Sequence, residues 1–235
     1  MFSTGAGKPA FLPAMDLELP QDETCPRCLK ATALCVCTTI EPLANRVFVL
    51  ILQHPQEQDR DLGTARLAAL HFQNAALKIG LSWPNLSKAL GRPVADPKRW
   101  GVLYLGPAAL PPEARERELA VLDRKGALGP AQGEALAQLD GIVLLDGTWS
   151  QAKALWWRNA WLLKLRRLVI EPKTPSRYGK LRKEPRRESV STLEAAAIVM
   201  SRLEHRPDLH SRMIRSFDAL LSAYRQSRKG PPPAA

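Results

Sequence analysis

Three stretches of this sequence are almost unbroken runs of apolar residues: 46–53 (RVFVLILQ), 100–105 (WGVLYL) and 142–145 (IVLL). Each is short and rich in β-branched or aromatic residues, the pattern of a strand buried on both faces. Residues 75–79 and 168–170 predict two further strands. Between them the period lengthens. Thr64 is placed to cap a helix running through Arg66, Leu67, Leu70 and His71, and residues 84–90 predict a short one. Thr148 and Gln151 have capping-box spacing, so a helix should open near Trp149 with Ala152, Leu155 and Trp156 on one face. Ser191-Thr192-Leu193-Glu194 is a second box, opening a helix that turns Ala195, Ile198, Val199 and Leu203 inward. A last helix covers roughly 209–225. The stretch 111–133 reads as partly helical, and Trp156, Trp157 and Trp161 read as core by spacing. Strands alternating with helices imply an α/β fold, a mostly parallel sheet with flanking helices.

The chain has 235 residues, room for one good core and an appendage. All four cysteines lie together, as Cys25-x2-Cys28 and Cys35-x-Cys37. Clustered thiols with none left over read as a four-thiolate metal site, structural zinc before an iron–sulfur cluster, and not as disulfides. The expected division is a loose arm over 1–20, a small N-terminal zinc knuckle over 21–42, an α/β catalytic domain over 43–226 and a Pro-rich tail over 227–235. No apolar run approaches the ~20 residues of a membrane helix. The first twenty residues lack a basic segment followed by an apolar one, so no secretory signal is read there and the chain is expected to be cytoplasmic.

The net charge of +11 changes the picture because it is concentrated. Residues 153–187 hold twelve Lys and Arg against Glu171 and Glu184, a net +10. A one-sign block attracts polyanions, and a phosphate backbone is the commonest of these. Lys153, Arg177, Lys180, Arg182, Lys183, Arg186 and Arg187 are its candidate RNA-binding residues.

Candidate chemistry sits at the ends of the buried strands: His54 and Glu57 after the first, Leu105-Gly106-Pro107 after the 100–105 strand, and Asp146 after the 142–145 strand. In open α/β sheets ligands bind at this edge. Asp146 has two readings, a turn residue or a functional carboxylate; Thr148 serves as a cap in either. There is no G-x-G-x-x-G, no P-loop and no G-x-S-x-G, so dinucleotide, P-loop and nucleophile-elbow chemistry find no support in the sequence.

Four features occur in order: the Cys25/Cys28/Cys35/Cys37 knuckle, His54-Pro55-x-Glu57, Asp146-x-Thr148-Trp149, and Ser191-Thr192-x-Glu194-Ala195. Together they resemble the DTW-domain family of tRNA-uridine aminocarboxypropyltransferases. One departure is Leu62-Gly63-Thr64-Ala65-Arg66-Leu67, where many members carry an Asn-Thr-Gly-Arg-like run. The resemblance implies a SPOUT-like core with a knot. It also implies transfer of the 3-amino-3-carboxypropyl group of S-adenosylmethionine to N3 of a tRNA uridine, at variable-loop position 47 in bacterial members, with release of methylthioadenosine. On that reading Asp146 is the catalytic carboxylate, as proton acceptor or as electrostatic partner of the sulfonium. His54, Glu57, Leu105, Gly106, Pro107, Thr148, Trp149, Ser191, Thr192 and Glu194 are then expected around donor and uridine. Trp149 fits stacking on a base and core packing equally well. Two rivals share these features: a SPOUT-like methyltransferase using the same donor, and a non-catalytic zinc-containing RNA-binding protein.

Overall fold

A computed structural model describes residues 24–103, 118–123, 125–129, 131–181 and 190–228. In chain order the elements are β1 (Phe48–Gln53), α1 (Ala65–Leu70), β2 (Ala75–Ile79), α2 (Leu86–Leu90), β3 (Trp100–Leu103), β4 (Leu119–Leu122), α3 (Gln132–Ala137), β5 (Gly141–Asp146), α4 (Trp149–Arg158), β6 (Arg166–Ile170), α5 (Thr192–Leu203) and α6 (Pro207–Ser227). The described strands form one six-stranded sheet in the order β2-β1-β5-β3-β6-β4, parallel throughout except that β4 runs antiparallel to β6. The α/β sheet expected from the apolar runs is therefore present, and no helix among the described residues is long and apolar enough to cross a membrane.

The central strands show why their sequences carry no alternation. Val49, Ile51, Ile142 and Leu144 join α1, α5 and α6 in one buried cluster. Their chain neighbours Leu50, Leu52, Val143 and Leu145 join α2, α4 and Trp161 in another on the opposite face. Side chains leave a strand alternately up and down, so a strand covered on both faces must be apolar at every position. Gly141 and Trp100 are directly paired across β5 and β3. A Cβ at Gly141 would lie 2.4 Å from the Trp100 ring, so only glycine lets the indole lie across the start of β5.

The knuckle shares the first of these cores. Leu34, Val36, Ile40 and the Cys28 and Cys37 side chains pack in the same cluster as Phe217 and Leu220 of α6, and Thr39 Oγ1 donates to Ser216 Oγ at 3.0 Å. It is docked on the side of the sheet covered by α1, α5 and α6.

Three expectations are corrected. The described residues of the 111–133 stretch hold a strand where helix was expected: β4 buries all four of its residues and pairs with the edge of β6, and α3 begins only at Gln132. Thr64 stands before α1 without capping it; its hydroxyl accepts instead from Leu193 N at 3.3 Å, tying α1 to α5. Trp157 is 78 % exposed, whereas Trp161 is buried. Trp157 lies within α4, five positions after the buried Ala152 and two after Leu155, so the helical period turns it away from the buried face.

Candidate active site

β1 and β5 are neighbours in parallel register, with Gln53 opposite Asp146 at their carboxyl ends. Both are buried. Gln53 Nε2 donates to Asp146 Oδ2 at 2.9 Å, and Thr192 Oγ1, in the first turn of α5, donates to Oδ1 at 2.5 Å. One carboxylate thus joins three elements: β5, β1 and the N-terminus of α5.

The turn after each strand is built around this point. His54 N donates to the Asp146 carbonyl at 3.0 Å. His54 Nδ1 accepts from Gln56 N at 3.3 Å and so starts the turn Pro55–Glu57. Glu57 is buried, its carboxylate 3.8 Å from Arg60 Nε. On the β5 side, Thr148 and Gln151 form both bonds of the capping box. Gly147 passes so close that a Cβ would stand 2.8 Å from that of Gln151 and 3.4 Å from that of His54. Gln151 Nε2 also reaches Gln56 Oε1 at 3.2 Å, linking the two turns. Thr148 is exposed and Trp149 half-buried, with Lys153 Nζ 5.6 Å from the centre of the Trp149 ring.

At α5, Ser191 Oγ accepts from Glu194 N at 3.1 Å. The buried Glu194 carboxylate accepts from Ser191 N at 2.7 Å, Ser176 Oγ at 2.9 Å and Arg177 N at 2.8 Å. It therefore holds the loop leading to Tyr178, whose hydroxyl donates to Leu62 O at 2.7 Å. Ser191 and Glu194 act here as ties; Thr192 is the member of this motif that touches Asp146.

The four cysteines are reduced, and their Sγ atoms all lie within 4.8 Å of one another, with Cys25 and Cys37 3.8 Å apart. Four sulfurs at about 2.3 Å from a tetrahedral zinc would be roughly 3.8 Å apart, so the donor set fits a metal ion. Burial pushes the Cys28 and Cys37 thiols up, while amide hydrogen bonds from Cys28 and Arg27 lower Cys25 to about 6. A divalent cation removes this conflict by favouring all four thiolates at once.

Two residues bearing on the site were not singled out in the sequence. Gln53 read as the last residue of a buried strand; a polar residue ending one apolar run, beside an Asp ending another, was the available signal. Lys30 read as part of the knuckle. It is buried, and its Nζ donates to the Asp61 carbonyl at 2.7 Å and that of Arg60 at 3.2 Å. Burial lowers it to about 8, opposed by the charges of Cys28, Asp61 and Asp146.

The basic block divides. Arg177 is exposed but paired with Asp218 at 2.8 Å. Arg166 is tied to Lys98 O, Ala135 O and Gln138 Oε1. Lys153 and Lys180 are exposed. Leu105, Gly106, Pro107, Arg182, Lys183, Arg186 and Arg187 lie outside the described residues.

Residues 22–225 match the family described as the DTW domain. The chain belongs to the DTW-domain family. It is 30% identical over 207 residues to tRNA-uridine aminocarboxypropyltransferase 2 of Macaca fascicularis, covering 84% of this chain and 62% of that protein. The Mus musculus protein of the same name is 30% identical over 202 residues with the same coverage. That of Drosophila melanogaster is 29% identical over 201 residues, covering 83% of this chain and 72% of its own length. The chain thus spans less than two thirds of the two mammalian relatives. No solved structure matches it. The Asp146-Gly147-Thr148-Trp149 turn lies within the matched span, with a glycine that the close approach of Gln151 and His54 requires.

Proposed function

We propose that this DTW-domain protein transfers the 3-amino-3-carboxypropyl group of S-adenosylmethionine to N3 of a uridine in tRNA, at variable-loop position 47, releasing methylthioadenosine. One observation carries the reading: the buried Asp146 carboxylate, held at the carboxyl edge of a parallel sheet by Gln53 and Thr192. The names of the relatives give it a reaction class.

In the step proposed, uracil N3 attacks the γ-carbon of the donor's amino-acid chain. The N3–C bond forms as the C–S bond breaks, its electron pair returning to sulfur, so the sulfonium leaves as a neutral thioether. The N3 proton departs to Asp146 or, through it, to solvent. Asp146 also counters the positive sulfur electrostatically, and its fixed orientation favours the γ-carbon over the methyl group. Thr192 and Gln53 act as positioning residues, fixing the plane of that carboxylate. Ser191 and Glu194 hold the α5 N-terminus in place, where unpaired amides favour an anion. His54, Glu57, Thr148 and Trp149 stand in the two turns beside Asp146 and are assigned to donor and uridine, as are Leu105, Gly106 and Pro107 by their place in the sequence after the 100–105 run. Lys153, Lys180 and the block through Arg187 take tRNA phosphates. The cysteine site holds a structural zinc, the core beyond residue 43 follows a SPOUT-like knotted path, and the protein works in the cytoplasm.

The test is incubation with S-adenosylmethionine labelled in its amino-acid carbons and unmodified tRNA. Label in the tRNA and methylthioadenosine in solution are the expected outcome. S-adenosylhomocysteine in its place would make the protein a methyltransferase; RNA binding without donor binding would make it a non-catalytic RNA-binding protein.

A further inference from the structure

Between the knuckle and the loop after β1 lies a cavity of about 190 Å³. Its lining carries cations and acids in equal number: Lys30, Arg60 and Arg66 against Glu57, Asp59 and Asp61. Gln53, which also lines it, donates to Asp146, so whatever enters the cavity sits one side chain from that carboxylate. Lys30 ties the knuckle to this loop and is still one acceptor short among the described residues. It is 7 % exposed, its ammonium has two acceptors among the described residues, both main-chain carbonyls, and no carboxylate pairs with it. A buried ammonium has three donors and is costly to hold without a counter-charge. One donor is left for an anion.

We propose that this cavity receives the zwitterionic amino-acid end of the donor, with Lys30 and Arg66 on its carboxylate and the buried Glu57 with Asp61 on its ammonium. The proposal rests on the reading of the protein as an aminocarboxypropyltransferase. Size is compatible with it: a cavity of about 190 Å³ has room for a four-carbon amino acid. Charge supports it, because a lining of balanced sign suits a ligand carrying both signs at a short, fixed separation. The knuckle then contributes a wall and a cation to the donor site in addition to docking on α6. The group to be transferred is anchored apart from the adenosine, which leaves the γ-carbon between the two near Asp146.

The experiment compares the zinc-loaded full chain with Lys30→Met and Arg66→Gln, measuring affinity for S-adenosylmethionine and for methylthioadenosine, which lacks the amino-acid end. Zinc content and melting temperature are followed in parallel. Each variant should lose about tenfold or more in affinity for S-adenosylmethionine, the size of one charge-assisted hydrogen bond, while methylthioadenosine affinity stays within about threefold. Lys30→Met can disturb the knuckle; Arg66→Gln lies outside it and decides the matter if zinc is lost. Equal losses for both ligands, or no loss for either, in a folded Arg66→Gln protein would overturn the proposal and leave the transferase reading standing. Absence of S-adenosylmethionine binding to the wild-type chain would overturn both.

Discussion

Replacing Asp146 by Asn separates the two readings of this carboxylate, because the structure fixes what the isostere keeps. Among its contacts, Asp146 accepts from Gln53 on one oxygen and from Thr192 on the other. Asn retains an acceptor facing Gln53, and the Thr192 hydroxyl can rotate to accept from the new amide. Both contacts survive, changed from charge-assisted to neutral. That change costs about 1 kcal/mol each, hence about 2 kcal/mol in stability and roughly 4–8 °C in melting temperature for a chain this size. A carboxylate that accepts the N3 proton or faces the sulfonium loses its basicity and charge outright, and turnover should fall by ~10²-fold or more, at least about 2.7 kcal/mol of barrier. The assay is single-turnover transfer from S-adenosylmethionine to unmodified tRNA, with donor affinity and melting temperature measured on the same protein. A rate within a few-fold of wild type would refute the reasoning and leave Asp146 a tie between β1, β5 and α5. A loss of donor affinity matching the loss of rate would make it a holder of the sulfonium and not an acceptor of the N3 proton.

Other outcomes follow from the same structure. His71 is buried with neither ring nitrogen hydrogen-bonded among the described residues, and burial lowers it from 6.5 to about 4. The unfolded chain takes up this proton first, so stability is full above about pH 6.5 and falls by on the order of 3 kcal/mol toward pH 4; His71→Phe should flatten that part of a denaturation-versus-pH curve. Metal analysis should find one zinc per chain, and Cys35→Ser should lower the melting temperature by roughly 4–8 °C, about 2 kcal/mol, while changing the rate of transfer far less. Neutralising Arg186 and Arg187 together should weaken tRNA binding and reduce its log–log salt slope by about one to two; an unchanged slope would send the phosphate contacts elsewhere.

The sheet's parallel part was legible because burial on both faces leaves its mark at every residue: β1, β3 and β5 are apolar runs, and β2 spans the residues expected. Both capping boxes formed as spaced, since a cap is decided by residues three apart. β4 was not legible as a strand; four apolar residues inside a polar stretch acquire that identity only from the edge of β6 beside them. Thr64 failed in the opposite direction. Its position before a helix is a local signal, but a backbone amide of α5, far along the chain, offers it a different bond. Within the site, Asp146 was singled out because it ends a strand; Gln53 reaches it from 93 residues away, and Lys30 is held by a carbonyl 31 residues along the chain at Asp61, separations over which pattern carries no information.

The mixed origin of the site has a physical reason. The carboxyl edge of a parallel sheet supplies turns, helix N-termini and the side chains that end strands, and here those side chains are Gln53 and Asp146, an amide and an anion. The buried cation that lines the neighbouring cavity comes from elsewhere, from Lys30 of the knuckle. A donor whose reacting end carries a carboxylate and an ammonium as well as a sulfonium needs both signs within a few ångströms. A long cation on the sheet edge would reach Asp146 directly and neutralise it. Lys30 is instead kept to the side, anchored by the carbonyls of Arg60 and Asp61, and the segment that carries it is fixed by the thiol cluster and by packing on α6. On the proposed reading, this separation lets Lys30 and Asp146 address different parts of the same ligand.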